Sequence, residues 1–201
     1  MNGTSDRRVD HVVDVVLLNG TVGSGKSTVA DALGVLAQAH GVPHAVIDLD
    51  HIRRGWPAPE GDRFNGTMLL ANLRDMVRNF RGAGAQRFVL AGVVEDPAEL
   101  PGFRAALATG SPRDSGSLRD SGSLRDSGSL LVVRLAVDDA TLRHRLRARH
   151  EGRPEELAWH LDRVGELAAI LDGAGVDDLV LDAATATPEE LAERVWAAAG
   201  W

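Results

Sequence analysis

The sequence predicts an α/β fold in which a five-stranded parallel sheet carries helices on both faces. Short β-branched apolar runs alternate with segments of helical period along the chain, and a glycine-rich turn joins the first run to the first helix. Capping signals mark several later helix starts. This alternation is typical of parallel strands joined by right-handed helical crossovers. A chain of 201 residues, 44% hydrophobic, is long enough for one domain with its own core.

The first half of the chain predicts two strand–helix units. An apolar run over residues 12–19 is the first strand, and the helix after its glycine-rich turn extends to Gly41, a plausible C-cap. Residues 43–50 are the second strand. A loop rich in glycine and proline over residues 55–66 leads to an amphipathic helix. The apolar face of that helix is formed by Leu69, Leu73, Met76, Val77 and Phe80.

The second half of the chain predicts the other three strands, over residues 87–94, 131–137 and 177–181. Capping boxes at Asp96 and Thr187 start helices after the third and fifth strands. Two helices follow the fourth strand, one ending at His150 and one beginning at Pro154. The order of elements completes the predicted α/β alternation.

Two segments are expected to lie outside the strands and helices. Residues 1–10 are polar and without period, which predicts a frayed tail. The hexamer RDSGSL occurs three times over residues 113–130 and carries no net charge, which predicts a surface loop. The alternative, a docking or phosphorylation segment, has no residue in its favour. We therefore treat residues 1–201 as one domain.

Composition excludes several classes of protein. The chain has no cysteine, so disulfide frameworks and thiolate zinc sites are excluded. It has neither a secretory leader pattern nor an apolar run near 18 residues, and its net charge is −7. These features predict a cytoplasmic protein that binds neither a membrane nor nucleic acid and is a monomer or homodimer. Lys26 is the single lysine among 22 basic residues.

A phosphate-binding turn follows the first strand. Residues 20–27 read GTVGSGKS, a full Walker A sequence, and Thr28 comes next. Glycines let successive main-chain N–H groups converge on phosphate oxygens, while Lys26 reaches the phosphates and the Ser27 hydroxyl ligates Mg²⁺. The alternative is a flexible glycine turn, which must explain why the single lysine stands here. The predicted nucleotide-binding residues are Gly20, Val22, Gly23, Ser24, Gly25, Lys26, Ser27 and Thr28.

Two carboxylates follow at the end of the second strand. Alternation along a strand places Asp48 and Asp50 on one face, at the carboxyl edge from which the glycine turn also rises. One carboxylate can hold Mg²⁺ while the other accepts a proton from an attacking hydroxyl. The alternative is that one of them caps the turn after the strand.

These stretches, GTVGSGKSTV and DLDHIRRGW, resemble small-molecule kinases of the P-loop superfamily, such as adenylylsulfate, gluconate and shikimate kinases and chloramphenicol phosphotransferase. The resemblance implies a three-layer αβα P-loop fold with a short helical lid over residues 141–160, and ATP and Mg²⁺ as cofactors. It implies Asp48 near Mg²⁺, Asp50 as base or hydroxyl ligand, and Arg53 on the acceptor. The adenylylsulfate kinase lid pattern is missing, and so are the shikimate kinase arginines after the third strand, which leaves the acceptor open.

An arginine-rich helix follows the fourth strand. Arg145 and Arg149 share a face four residues apart, an arrangement that resembles the RxxxR of nucleoside monophosphate kinase lids. The resemblance implies Arg145 against adenine and Arg149 on the transferring phosphate. Arg143 and Arg147 form an equal pair on another face, so a solvated helix is the alternative.

The remaining candidates concern the acceptor. Arg53, Arg54 and Trp56 are candidate acceptor contacts, although Trp56 is equally interpretable as a loop anchor. His51 is interpreted as a packing or hydrogen-bonding residue, because Asp50 already supplies a base. The sequence thus predicts an ATP-dependent kinase of a hydroxyl-bearing metabolite or antibiotic. The alternatives are a nucleotide kinase and an ATP-binding switch that docks through the RDSGSL repeat.

Overall fold

A parallel sheet lies at the centre of the structure, a computed structural model that describes residues 12–108 and 129–201. Its strand order is β2-β3-β1-β4-β5, and every adjacent pair is parallel. The predicted five-stranded parallel sheet is therefore confirmed. The predicted tail and residues 113–128 of the repeat lie outside the described residues. The strands are β1 (Val15–Asn19), β2 (His44–Asp48), β3 (Arg87–Ala91), β4 (Leu130–Ala136) and β5 (Leu179–Asp182).

Seven α-helices in the described part of the chain cover both faces of the sheet, as predicted. None of these helices has the length and apolar content that crossing a bilayer requires. A 3₁₀ turn over Pro97–Glu99 precedes the fourth helix. The helices are α1 (Lys26–Ala39), α2 (Leu49–Ile52), α3 (Gly66–Gly82), α4 (Leu100–Leu107), α5 (Asp139–Arg149), α6 (Pro154–Ala174) and α7 (Pro188–Ala199).

Alternation along β1 divides the core between the two faces. Val16 and Leu18 pack with α1 and α7, whereas Val15 and Leu17 pack with α3 and α4. All five residues of β1 are fully buried because the strand lies third of five and is covered on both sides. The chain builds the sheet on one side of β1 with β2 and β3 and on the other side with β4 and β5. In open α/β sheets, ligands bind at the carboxyl edge beside such a switch point.

A third apolar cluster joins the two helices after β4. Leu142 and Leu146 of α5 pack against Val164 of α6, and Val22 of the glycine turn packs against them. The predicted lid region thus rests directly on the phosphate-binding turn through apolar contact.

The strand boundaries correct the sequence-based predictions at the carboxyl edge. β2 ends at Asp48 because its carboxylate accepts hydrogen bonds from the N–H groups of Asp50 and His51, which starts the short helix α2. The prediction that the strand continues to Asp50 is wrong, and the two carboxylates do not share a strand face. β3 likewise ends at Ala91 rather than at residue 94.

The capping predictions agree with the structure. Reciprocal capping boxes start the 3₁₀ turn at Asp96 and α7 at Thr187. Asp138 caps α5 by accepting from the N–H of Thr141. These local signals required only residues within one turn of each other, which is why sequence alone identified them.

Candidate active site

The turn between β1 and α1 forms a cradle of main-chain N–H groups. Gly20, Gly23 and Gly25 have φ angles of 142°, 83° and 99°, a region that side-chain-bearing residues rarely adopt. A Cβ on Gly20 would lie 2.8 Å from both the Leu135 carbonyl oxygen and the Ser24 Oγ. Ser24 Oγ itself is buried without a hydrogen-bond partner. The turn therefore combines a glycine-dependent bend with an unsatisfied polar group at a helix N-terminus, which suits an anion.

Lys26 lies in this cradle with its side chain buried. Its Nζ donates to the carbonyl oxygens of Gly20 and Thr21 at 2.9 and 3.0 Å. Burial lowers the pKa of Lys26 to about 8, while the charges of Asp50 and Asp48 act to raise it. Arg149 adds a smaller effect that lowers it. Two carboxylates and one guanidinium therefore act on the Lys26 ammonium beside the cradle.

Asp48 has two roles at once. Its Oδ2 accepts a hydrogen bond from the Ser27 hydroxyl at 2.7 Å, while its Oδ1 caps α2. A hydroxyl and a carboxylate are the hard oxygen donors that Mg²⁺ prefers. The described residues contain no group of three His, Cys, Asp or Glu side chains able to hold a metal. Ser27 and Asp48 therefore fit a Mg²⁺ ion that takes its other ligands from phosphate and water.

Asp50 lies on α2 and is exposed to solvent. Of the two carboxylates, Asp50 acts more strongly to raise the pKa of Lys26. The helix is anchored by Leu49, which is fully buried and fills the space beside Gly92, where a Cβ would lie 2.6 Å from Leu49 Cδ1. Although Asp50 is not on the strand, it is accessible and close to the cradle, as a proton acceptor requires.

Two arginines of α5 have different partners. Arg145 donates to the carbonyl oxygens of Ala183 and Ala184 at 3.0 and 3.1 Å, and more weakly to that of Gly23. Arg143 instead pairs with Asp139 of its own helix. The solvated-helix interpretation thus describes the Arg143 face, while the Arg145 face is turned towards the cradle.

A cavity of about 340 Å³ adjoins the cradle. Residues 23–29 form one wall, and both Arg145 and Arg149 line it. The segment after β5 and the start of α7 supply a largely apolar wall. This cavity combines a phosphate cradle, two guanidiniums and an apolar surface, which are the features that a nucleotide requires. The apolar wall is formed by Ala183, Ala186, Pro188 and Leu191.

The predicted acceptor residues lie on the loop after α2. The main chain of Arg53 is fixed because Asn65 Nδ2 donates to its carbonyl oxygen at 3.0 Å, and Arg53 Nε is buried without a hydrogen-bond partner. Arg54 is exposed, and His51 Nδ1 lies 3.8 Å from Asp48. Trp56 is 94% exposed, so it does not anchor the loop.

The sequence analysis missed Asn19, the last residue of β1. Its buried amide oxygen accepts from the N–H groups of Gly20 and Val94. Its amide nitrogen donates to the Val94 carbonyl and to the carboxylate of Asp177, a group whose pKa burial raises. A polar residue closing an apolar strand was the available signal. Asn19 fixes the start of the cradle against the segment after β3.

Comparison with solved structures identifies similar folds. A shikimate kinase from Acinetobacter baumannii is 20% identical with a TM-score of 0.56, and the match covers 91% of this chain and 90% of that one. A gluconokinase from Sinorhizobium meliloti 1021 is 20% identical with a TM-score of 0.56, covering 94% and 93%. The tunicamycin resistance protein of Deinococcus radiodurans is 19% identical with a TM-score of 0.59, covering 94% and 96%.

No protein-family model and no curated protein sequence matches the chain. Two of these three neighbours are a shikimate kinase and a gluconokinase, and likeness at this level of identity shows that the chain shares their fold. The predicted three-layer P-loop fold is therefore confirmed.

Proposed function

We propose that this protein is a kinase that transfers the γ-phosphate of ATP to a hydroxyl group of a small molecule. One observation carries the proposal: the buried ammonium of Lys26 lies in the glycine cradle, the Ser27 hydroxyl next to it donates to Asp48, and Arg149 lines the adjoining cavity. The charges of Asp50 and Asp48 also act on this ammonium. This set would supply a phosphate-binding group, a metal ligand, a proton acceptor and a cation for the transferring phosphoryl group. Phosphoryl transfer depends mostly on such positioning and charge stabilisation.

The phosphates of ATP bind in the cradle. Its N–H groups and the Lys26 ammonium contact the phosphate oxygens, and this ammonium exchanges its present carbonyl acceptors for phosphate. Ser27 and Asp48 hold Mg²⁺, which neutralises phosphate charge when bound. The adenine side lies in the cavity beside Arg145, which keeps α5 attached to the segment after β5.

Transfer uses Asp50 as the base. The acceptor hydroxyl gives its proton to the Asp50 carboxylate as its oxygen forms a bond to the γ-phosphorus, and the bond from that phosphorus to the β-γ bridging oxygen breaks to release ADP. Arg149 stabilises the charge on the phosphoryl oxygens. The acceptor lies on the loop after α2, with Arg53 and Arg54 as its proposed contacts.

The test is phosphotransfer followed by intact-mass detection. Purified protein is incubated with ATP and Mg²⁺ against a panel of hydroxylated metabolites, antibiotics and nucleoside monophosphates. We expect a product 80 Da heavier than an acceptor with a hydroxyl, the mass of one added phosphoryl group, and no ATP turnover by Lys26→Ala. ATP consumption without any phosphorylated product would contradict the proposal and favour a hydrolase or switch.

The base assignment has its own variant. Asp50→Asn keeps the size of the side chain but accepts no proton, so we expect unchanged ATP affinity and a transfer rate lower by at least about 100-fold. Asp31→Asn, an exposed aspartate on α1, is the matched control and should retain the parent rate. Transfer by Asp50→Asn at the parent rate would show that Asp50 is not the base.

A further inference from the structure

The short helix α2 and the turn after it are held by two asparagines of another element. Asn72, on α3, donates from Nδ2 to the carbonyl oxygen of Ile52 at 2.6 Å. Asn65, the N-cap residue of α3, donates from Nδ2 to the carbonyl oxygens of Arg53 and Gly55 at 3.0 and 3.1 Å. The last carbonyl groups of a helix have no intrahelical donor, so these side-chain amides supply donors where α2 ends.

Asn65 has an unusual conformation for a residue that precedes a helix. Asparagine at this position normally has an extended backbone and caps the helix with its own side-chain oxygen. Asn65 instead has a φ of 52°, the only positive φ of a non-glycine residue in the described part of the chain, and its side chain makes no capping bond. Asp62 caps α3 in its place, since its carboxylate accepts from the N–H groups of Gly66 and Thr67 at 2.6 and 3.0 Å. The Asn65 amide is therefore committed to the turn after α2 and not to its own helix.

The position of α2 depends on contacts at both of its ends. A helix of four residues does not form on its own, because its nucleation is unfavourable and it has few internal hydrogen bonds. At its N-terminal end, the carboxylate of Asp48 accepts from the N–H of Asp50, and the side chain of Leu49 is fully buried. The two asparagines hold the C-terminal end.

The proposed base depends on this attachment. Asp50 is exposed, so its carboxylate is positioned by the main chain of α2 and not by close packing around the side chain. Ile52 and Arg53, whose carbonyl groups the asparagines hold, lie only two and three residues further along the chain. A shift at the end of so short a helix therefore moves Asp50 as well. Misplacement of a reacting group by about 1 Å can lower a rate about 100-fold.

Given the proposed kinase activity, on which this inference rests, we propose that Asn65 and Asn72 are positioning residues that fix Asp50 relative to the cradle by holding the C-terminal end of α2. Their amides act through the main chain of α2 and take no proton. Loss of the amides should therefore affect transfer more than nucleotide binding.

A combination with Asp50→Asn tests this role. Asn65→Gly and Asn72→Ala each remove an amide donor, and glycine adopts the positive φ of position 65 freely. We expect the variant with both changes to have a kcat at least about tenfold below that of the parent, because the base is misplaced. Its affinity for AMP-PNP with Mg²⁺ should stay within about twofold of the parent. On the Asp50→Asn background the same two changes should have little further effect on kcat, since they act through that carboxylate.

The matched control for these changes is Asn79→Ala. Asn79 is an exposed asparagine on the same helix, seven residues after Asn72. Its substitution should leave kcat and the affinity for AMP-PNP at the parent values.

A second measurement requires neither an acceptor nor turnover. The charge of Asp50 acts to raise the pKa of Lys26, so displacement of Asp50 should lower that pKa. Lys26 is the only lysine of the chain, and NMR of lysine-labelled protein follows its titration. Loss of both asparagine amides should lower the pKa of Lys26 part of the way to its value in Asp50→Asn. Asn79→Ala should leave it unchanged.

Two results would overturn the proposal. A fall in kcat as large on the Asp50→Asn background as in the parent would show that the asparagines support the fold in general. Parent values of both kcat and the pKa of Lys26 after loss of both amides would show that they do not position Asp50. Absence of phosphorylated product with every acceptor would instead contradict the kinase assignment, and the lysine titration would then decide whether the asparagines hold Asp50 in place.

Discussion

At the scale of single residues, Lys26 is unusual because it is the only lysine of the chain and lies buried in the cradle. The chain contains one lysine, no tyrosine and no cysteine, and arginine stays protonated throughout. Burial lowers the pKa of Lys26 to about 8 from its ordinary 10.5. The unfolded chain therefore binds one more proton than the folded chain between these two values. Stability in this pH range reports on a single buried ammonium.

We predict that the free energy of unfolding rises between pH 8 and 10.5. Below pH 8 the folded state carries the full cost of the buried ammonium, and this cost disappears as pH passes 10.5, a change of about 3 kcal/mol. Urea unfolding at pH 7.5, 9 and 10.5 measures it. Lys26→Met lacks the titrating group and serves as the reference. Parallel curves for the parent and Lys26→Met across this range would contradict the assignment.

At the scale of elements, α5 is an arginine-rich helix with one face towards the cradle. Arg145 contacts main-chain carbonyls on the nucleotide side, and Arg149 lines the cavity. Arg147 is exposed, and Arg143 pairs within the helix. The sequence showed two equivalent pairs, and only tertiary contacts distinguish them. The sequence does not show which pair faces the cradle, because both pairs have the same spacing of four residues.

Substitutions of the two arginines on the cradle side of α5 should differ in kinetic effect. Arg145→Ala removes the attachment of α5 to the segment after β5, so we expect the KM for ATP to rise about tenfold with little change in kcat. Arg149→Ala removes charge stabilisation of the transferring phosphoryl group, so kcat should fall at least about tenfold at similar KM. Steady-state kinetics on the identified acceptor measure both.

Arg147→Ala is the matched control for this pair, since its side chain lies on the exposed face of the same helix. It should leave both constants within about twofold of the parent. An effect of Arg147→Ala as large as that of Arg149→Ala would contradict a specific role for Arg149 and favour the solvated-helix interpretation of α5.

The end of β2 shows where element prediction from sequence fails. Aspartate at a strand end is compatible with continued extension or with an N-cap, and local residues do not decide between them. In the structure, Asp48 is the N-cap of α2, because its carboxylate accepts hydrogen bonds from the N–H groups of Asp50 and His51. Helix starts at Asp96 and Thr187 were predictable because a second residue, three positions on, completes each capping box.

At the scale of the whole molecule, side chains on α6 and just after it pair with residues of the sheet and of the segment after β3. Arg163 pairs with Glu95, and Asp172 pairs with Arg134 of β4. Just beyond the helix, Asp177 accepts from Asn19. These partners are between 38 and 158 residues apart in sequence. Sequence predicted the fold, the cradle and the acids beside it because those signals are local. It could not predict α6 pairings, since an arginine-rich chain offers many possible partners for each acid.

At the carboxyl edge of the sheet, the buried ammonium of Lys26 lies at the proposed phosphate site. Burial disfavours the charged form of Lys26, and bound phosphate oxygens would favour it. Occupation of the cradle by a nucleotide therefore has one measurable electrostatic consequence, a rise in the pKa of Lys26.

Because the chain has a single lysine, protein labelled with ¹³C- and ¹⁵N-lysine gives one side-chain signal, and titrating that signal by NMR measures the pKa of Lys26 directly. Without nucleotide we expect a pKa of about 8. Saturation with Mg²⁺ and AMP-PNP should raise the pKa of Lys26 to its ordinary 10.5 or above. Binding of AMP-PNP with no change in the pKa of Lys26 would show that the phosphates lie elsewhere and would contradict the account.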